Sequence, residues 1–151
     1  MFETKLTLVG TVISEVRLTH TRTNEVPVAN FSIATTARTF NREKGGWVDG
    51  NSLHLRVSCW RRLGENVAAS LHRGDPVLVS GNLYSRSYEA SDGTRRWSYE
   101  VEATTVGPDL SRGTATFQRR PSPQAEPGAP ATVLALGGAD PEPAVPQSEA
   151  A

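Results

Sequence analysis

The chain has very few residues of the kinds that carry catalysis or bind metals. Cys59 is its single cysteine, so neither an internal disulfide nor a zinc site with several cysteine ligands can form. The three histidines lie in separate segments, and no HxH, HExxH or CxxC spacing occurs. Phosphate-binding loops of the GxxxxGKS, GxxxxGKT or GxGxxG type are also missing. Because no nucleophile and base can be paired, we expect a protein that is not an enzyme and uses neither metal nor cofactor.

Long apolar runs are absent as well, and the first residues contain no basic stretch followed by an apolar one. A membrane-spanning helix needs about 20 consecutive apolar residues, and a secretory signal needs the basic-then-apolar pattern. We therefore expect a cytoplasmic protein with no membrane partner.

Aromatic residues and cations are missing from residues 121–151, which nevertheless contain seven of the ten prolines. Such a composition cannot bury enough apolar surface to offset the entropy of an ordered chain, so we expect a disordered, acidic tail rich in Pro and Ala. The charge of its four acidic residues offsets the net positive charge of residues 1–120, which contain 16 basic and 12 acidic residues. The net charge of zero therefore conceals a basic body.

Much of the remaining chain alternates apolar and polar residues, as β-strands do. Strands are predicted for residues 5–18, with a bend at Gly10, for residues 28–38 and for residues 51–60. In the second strand, Phe31 and Ile33 should face the core. Residues 75–107 predict two further strands joined at the turn 91–93, and residues 39–50 predict a loop or loose hairpin.

One helix is predicted, at residues 61–74, where Leu63, Val67 and Leu71 recur every four residues and Gly74 follows as a stop. A helix between the third and fourth of five strands is the order of the five-stranded OB barrel. A generic small β-barrel is the alternative, and it explains the position of the helix less well. We expect an all-β fold with one helix. An OB barrel with an extended hairpin should span residues 1–112, one more short strand could follow at 113–120, and the tail at 121–151.

Aromatic and basic residues are interleaved on the polar faces of these strands and in the loops between them. Single-stranded nucleic acid is bound by this mixture, because cations follow the phosphates while aromatic rings stack on the bases. The candidates for base stacking are Phe40, Trp47, His54, Trp60, Tyr88 and Trp97. The candidates for phosphate contacts are Lys5, Arg38, Arg42, Lys44, Arg56, Arg62, Arg73, Arg86, Arg95 and Arg96.

Four stretches of the sequence resemble the bacterial single-stranded DNA-binding proteins, and in particular their actinobacterial members. They are LTLVGTV near the start, VANFSIAT at 28–35, LRVSCWRRLGENVAASLHRGDPVLVSGNL at 55–83 and RSYEASDGTRRWSYEVEATTVGP at 86–108. The resemblance covers residues 3 to 119. It implies an OB fold, a homotetramer, and sequence-tolerant binding and protection of single-stranded DNA at the nucleoid during replication, recombination and repair.

The same resemblance implies roles for particular residues. The base-stacking aromatics of the family fall on Phe40, His54, Trp60 and Tyr88, and Trp47 falls where actinobacterial members keep a loop tryptophan. The segment after Pro108 corresponds to an extra strand that clamps subunits together. At position 54 many members carry tryptophan, so the smaller ring of His54 implies a weaker contact.

The carboxyl-terminal sequence departs from the family, whose members end in an acidic tip closing with a hydrophobic pair. This chain ends EPAVPQSEAA, so we expect a paralogue that does not recruit repair or replication enzymes through such a tip. The alternative function is that of an OB-fold primosomal or assembly adaptor, which would act mainly through protein contacts. Steep salt dependence of DNA binding would favour the first function over the second.

Overall fold

The computed structural model describes residues 3–121 and contains six strands and one helix. The elements are β1 Thr4–Val12, β2 Arg17–His20, β3 Pro27–Asn41, β4 Gly46–Trp60, α1 Arg61–Ser70, β5 Pro76–Glu89 and β6 Arg95–Pro108. No helix among these residues is long and apolar enough to cross a membrane.

The strands form one sheet in the order β1-β5-β6-β4-β3-β2, and an additional pairing of β1 with β3 closes it into a ring of five strands. All neighbouring pairs are antiparallel except β4 and β6, which run parallel over three residue pairs. Helix α1 connects β4 to β5. The predicted all-β OB barrel with one helix is confirmed.

The barrel is filled by one parity of each strand. Phe31 and Ile33 are buried as predicted, and they pair in register with Val57 and Leu55 of β4. Cys59 belongs to the same lining and is fully buried. Burial raises the pKa of its thiol to about 12, so the thiol stays protonated near neutral pH and acts as a small apolar side chain.

The single bent strand predicted for residues 5–18 is wrong in detail, because the chain leaves the sheet after Val12 and re-enters it as β2. Gly10 lies inside β1, where the strand turns from β5 towards β3. A Cβ atom at this position would lie 2.7 Å from the carbonyl oxygen of Ala34. Glycine at position 10 is therefore required because the backbones of β1 and β3 approach closely there. The strand itself is interrupted only after Val12.

The helix is shorter than predicted and ends at Ser70, because Leu71 already has extended backbone angles. Two hydrogen bonds turn the chain towards β5 instead. The Asp75 carboxylate accepts from the His72 backbone N–H at 2.8 Å, and the Gly74 N–H donates to the Val12 carbonyl at 2.7 Å. The hydrophobic repeat continued to Leu71, which is buried, so the repeat marked the core contact and not the end of the helix.

The long hairpin β5–β6 was predicted, whereas residues 39–50 were predicted as a loop or loose hairpin, and β3 and β4 extend further into them than expected. They meet at the turn 42–45, so most of the predicted loop 39–50 is strand. A second unit of the chain begins at Phe117, and its described residues 117–121 are exposed. Residues 113–120 form no strand within the single chain. The predicted extra strand would pair with another subunit, and both it and the domain boundaries stay predictions. Apart from Pro121, the predicted tail and its carboxyl-terminal tip lie outside the described residues.

Candidate nucleic-acid interface

The outer face of β4 carries three of the predicted site residues. His54, Arg56 and Trp60 point away from the barrel lining and are exposed, whereas Ser58 on the same face is buried. Their parity is opposite to that of the lining residues, since successive side chains of a strand alternate between its two faces. The strict alternation of residues 51–60 therefore separates a packed face from an outer face that a ligand can reach.

A β-bulge midway along the β3–β4 hairpin changes this alternation. Thr36 pairs with Ser52, but the next pair is Arg38 with Asp49, so β4 advances by three residues while β3 advances by two. An extra residue in one strand reverses the parity of everything beyond it. The odd-numbered Trp47 consequently lies on the same face as the even-numbered His54.

Phe40 and Trp47 face each other across the hairpin. Their ring centroids are 5.7 Å apart with the planes at 75°, an edge-to-face contact. Half of Phe40 and 63% of Trp47 are exposed, so this contact leaves both rings accessible to a ligand. Arg38 lies beside them, and its Nε is 3.4 Å from Asp49 Oδ1 in an exposed ion pair.

The turn of this hairpin presents two cations. The Asn41 side-chain oxygen accepts hydrogen bonds from the backbone N–H groups of Glu43 at 2.9 Å and Lys44 at 3.0 Å. This Asx-type arrangement orders the turn, and Arg42 and Lys44 are exposed on it. Both were predicted phosphate contacts. They lie on the turn that joins the strand ends carrying Phe40 and Trp47.

The β5–β6 hairpin keeps a regular register from Gly81 to its tip, and it therefore divides the predicted residues between its two faces. Tyr88 pairs with Arg96, and Arg86 pairs with Ser98, on the outer face. Trp97 pairs with Ser87 on the opposite face, and 60% of it is exposed there. Arg95 shares the face of Trp97. The structure thus brings Arg86 and Tyr88 to the face of His54 and Arg56, and it does not bring Trp97 and Arg95 there.

A buried carboxylate lies in the middle of this outer face. Glu100 is 6% exposed and accepts a hydrogen bond from the Tyr84 hydroxyl at 3.0 Å. Its Oε2 is 3.9 Å from Arg86 Nε, and Arg56 is its neighbour in register on β4. Burial raises the pKa of the Tyr84 phenol, and the hydrogen bond to Glu100 acts in the same direction. The network holds Arg86 beside the centre of the face.

Sequence reasoning missed Tyr84 and Glu100. Tyr84 shares the parity of Arg86 and Tyr88, so extending that alternation by one step would have found it. Glu100 offered no such signal, because its neighbours come from β5 and β4, and the pairing of β6 with both strands is decided only in the folded sheet.

The remaining predicted cations lie at several places. Lys5 is on the outer side of β1, where it pairs with Asn82 of β5. Arg62 is on α1, and Arg73 is exposed in the segment that follows the helix. The Arg96 guanidinium lies 3.1 Å from Asp92 at the hairpin tip. No group of three or more His, Cys, Asp or Glu residues is arranged to hold a metal within residues 3–121.

The sequence matches the model of the Single-strand binding protein family over residues 3–109. A protein of Corynebacterium glutamicum named single-stranded DNA-binding protein is 45% identical over 119 residues, which are 79% of this chain and 52% of that protein. One of the same name from Paenarthrobacter aurescens is 45% identical over 117 residues, covering 78% of this chain and 68% of its own length. The chain thus spans about half of the first relative and two thirds of the second.

Two solved structures are similar to the fold. The small single-stranded DNA-binding protein from Streptomyces coelicolor superposes with a TM-score of 0.67 at 34% identity, over 75% of this chain and all of that one. The second single-stranded DNA-binding protein from Mycobacterium smegmatis gives a TM-score of 0.58 at 36% identity, over 78% of this chain and all of its own.

Proposed function

Because this chain belongs to the Single-strand binding protein family, we propose that it binds and protects single-stranded DNA on the outer face of its barrel. The observation that carries the proposal is the convergence of exposed rings and cations on that face. The bulge in β4 is essential to it, since it turns Trp47 to the side on which His54, Arg56 and Trp60 lie.

The geometry supports binding that is tolerant of base sequence. Each base presents a π-face to a ring, and stacking is worth about 1–3 kcal/mol per base whatever the base is. Arginine and lysine side chains follow the phosphates, which are the same at every nucleotide. The residues proposed to stack are those that share the outer face, Phe40, Trp47, His54, Trp60 and Tyr88. Arg38, Arg56, Arg86 and Arg96 are the proposed phosphate contacts on the same face, and Arg42 and Lys44 are the proposed contacts on the β3–β4 turn.

Assembly into a homotetramer is part of the proposal. A partly open apolar hollow of about 300 Å³ lies on the lining side of the sheet, beside the exposed Leu53 and Tyr99. Apolar surface of this kind is typical of contacts between subunits. Residues 113–120, if they pair with another subunit, would add backbone hydrogen bonds to the same assembly.

The wider role is proposed from the family. The protein would act in replication, recombination and repair at the nucleoid, in the cytoplasm, without enzymatic activity of its own. The matched relatives are named for binding single-stranded DNA, so the adaptor alternative is not favoured.

The proposal is tested by titrating the protein with oligo(dT) at several salt concentrations while following tryptophan fluorescence. Stacking of bases on Trp47 or Trp60 should quench the emission. Affinity should fall with salt at a slope of about −0.7 per phosphate contact. Trp60→Ala should weaken binding by about 1–3 kcal/mol, and by a similar amount for different base sequences.

Duplex DNA of the same length is the control ligand. Tight binding to the duplex with no quenching by oligo(dT) would contradict the proposal. An affinity that hardly changes with salt would also contradict it, and would favour recognition of a protein partner.

A further inference from the structure

A partly open cavity of about 430 Å³, with both polar and apolar lining, lies beside Trp60 at the end of β4. Its wall comes from the loop between β2 and β3, from the start of α1 and from β6. The lining residues are Thr21, Thr23, Asn24, Val26, Trp60, Arg61 and Glu102. The proposed function uses Trp60 as a stacking platform, and it leaves the polar lining of the cavity without a role.

The loop that forms one wall is ordered by its own hydrogen bonds. The Thr21 hydroxyl accepts from the Val26 backbone N–H at 3.1 Å, and the Thr21 N–H donates to the Val26 carbonyl at 3.0 Å. The Glu25 N–H donates to the Thr21 carbonyl at 3.0 Å. These hydrogen bonds close the turn on which Asn24 lies. The backbone at Asn24 is therefore held in place, and its side chain projects from a defined position.

Several polar groups of the lining have no partner inside the protein. Within residues 3–121, the Glu102 carboxylate and the Asn24 amide make no hydrogen bond or ion pair, and the Thr23 hydroxyl makes none. An ionised carboxylate only accepts hydrogen bonds, whereas an amide both donates and accepts. The cavity thus combines an aromatic wall with unused hydrogen-bonding groups of both kinds.

Backbone strain is concentrated at the same place. Glu25, with φ of 51°, and Arg61, with φ of 57°, are the two non-glycine residues in the left-handed region across the described chain. Arg61 lines the cavity, and Glu25 lies between two residues that do. Conformations of this kind persist where the surrounding structure enforces them, and they cluster at ligand sites.

We propose that this cavity takes one nucleobase of the bound strand, and that Glu102 makes it favour a base carrying an exocyclic amino group. This inference rests on the proposed function, because Trp60 must first stack the base. Cytosine has a donating amino group at N4, where thymine has an accepting carbonyl at O4. A carboxylate accepts a hydrogen bond from the cytosine amino group and repels the thymine carbonyl oxygen. The rest of the outer face stays indifferent to sequence, so the preference belongs to this one position.

The test compares two oligonucleotides of about eight nucleotides, oligo(dC) and oligo(dT), which fit a single barrel. Their dissociation constants are measured at one salt concentration and one neutral pH for the wild type and for Glu102→Ala. Removing the carboxylate should lower the ratio of the oligo(dT) constant to the oligo(dC) constant roughly fivefold. Loss of a negative charge strengthens binding of both oligonucleotides alike, so the ratio isolates the base contact.

Glu65→Ala is the matched control, since Glu65 is an exposed carboxylate on α1 that does not line the cavity. It should leave the ratio unchanged. Glu102→Gln keeps the shape of the side chain but adds a donor for the thymine carbonyl, so its ratio should fall as in the alanine variant. A ratio that Glu102→Ala does not move overturns the inference. A wild type that binds neither oligonucleotide overturns the proposed function instead.

Discussion

The two long hairpins have similar compositions but present their aromatic residues differently. In β3–β4, Phe40 and Trp47 lie on one face and touch each other at 5.7 Å between ring centroids. In β5–β6, Tyr88 and Trp97 lie on opposite faces, because the register runs without interruption from Gly81 to the tip. The first hairpin has a bulge beyond Thr36 and the second has its irregularity at its base, between Ser80 and Gly81.

The difference shows that the position of a bulge decides which residues can act together. A bulge midway along a hairpin moves every side chain beyond it to the other face. A bulge at the base leaves the whole hairpin in one alternation. An aromatic residue can be assigned to a binding face only when the register of its strand with the neighbouring strand is known. Four experiments test this comparison of the two hairpins.

The largest effect is expected at the base of the β5–β6 hairpin. A Cβ atom at Gly81 would collide with the Glu102 carbonyl and would lie 2.8 Å from the Ala103 Cα. Gly81→Ala should therefore lower the free energy of unfolding by about 3 kcal/mol, since neither contact is with a flexible side chain. Chemical denaturation measures the change.

Gly46→Ala, at the tip of the β3–β4 hairpin, is the matched control, because nothing lies within 4 Å of a Cβ atom there. Its stability should stay within about 0.5 kcal/mol of the wild type. Equal losses in the two variants would show that the base of β5–β6 has no special packing constraint.

The second effect separates the two faces of β5–β6. Tyr88→Ala should weaken binding of oligo(dT) by about 1–3 kcal/mol, because it removes a ring from the outer face. Trp97→Ala should cost much less, since its ring lies on the opposite face. Fluorescence anisotropy of a labelled oligonucleotide measures both constants. Similar losses would mean that DNA contacts both faces of the hairpin and that Trp97 stacks a base, as predicted from the sequence.

The third effect is the coupling inside the β3–β4 hairpin. The stabilities of Phe40→Ala, Trp47→Ala and the double variant should give a coupling free energy of about 0.5–1.5 kcal/mol, as expected for an edge-to-face pair. The same cycle for Phe40 and Tyr88, which lie on different hairpins, should give a value near zero. A coupling as small in the first cycle as in the second would contradict the contact.

The smallest effect concerns one phosphate contact. Arg86→Gln should reduce the salt slope of oligo(dT) binding by about 0.7, the contribution of one phosphate on a single strand. Arg95→Gln removes an arginine from the other face of the same hairpin and should leave the slope unchanged. If Arg95→Gln changes the slope and Arg86→Gln does not, the assignment of the outer face to DNA is wrong.

Much of the barrel could be predicted from local patterns. Alternation located Phe31 and Ile33 in the core, and the turn at residues 91–93 located the last hairpin. Predictions of boundaries were less accurate, because the end of a strand or helix depends on partners that are distant in sequence. The break after Val12 is an example, since β1 pairs with β5 and then with β3 before it ends.

The sequence by itself determined which residues are candidates for the proposed binding of DNA, because composition and alternation mark rings and cations outside the core. Only the tertiary structure decided which of them share a face. The bulge in β4 joins Trp47 to His54, the regular β5–β6 register separates Trp97 from Tyr88, and β6 brings Glu100 between Arg86 and Arg56. The physical reason is that cross-strand register depends on the pairing of distant strands, whereas alternation is a property of each strand alone.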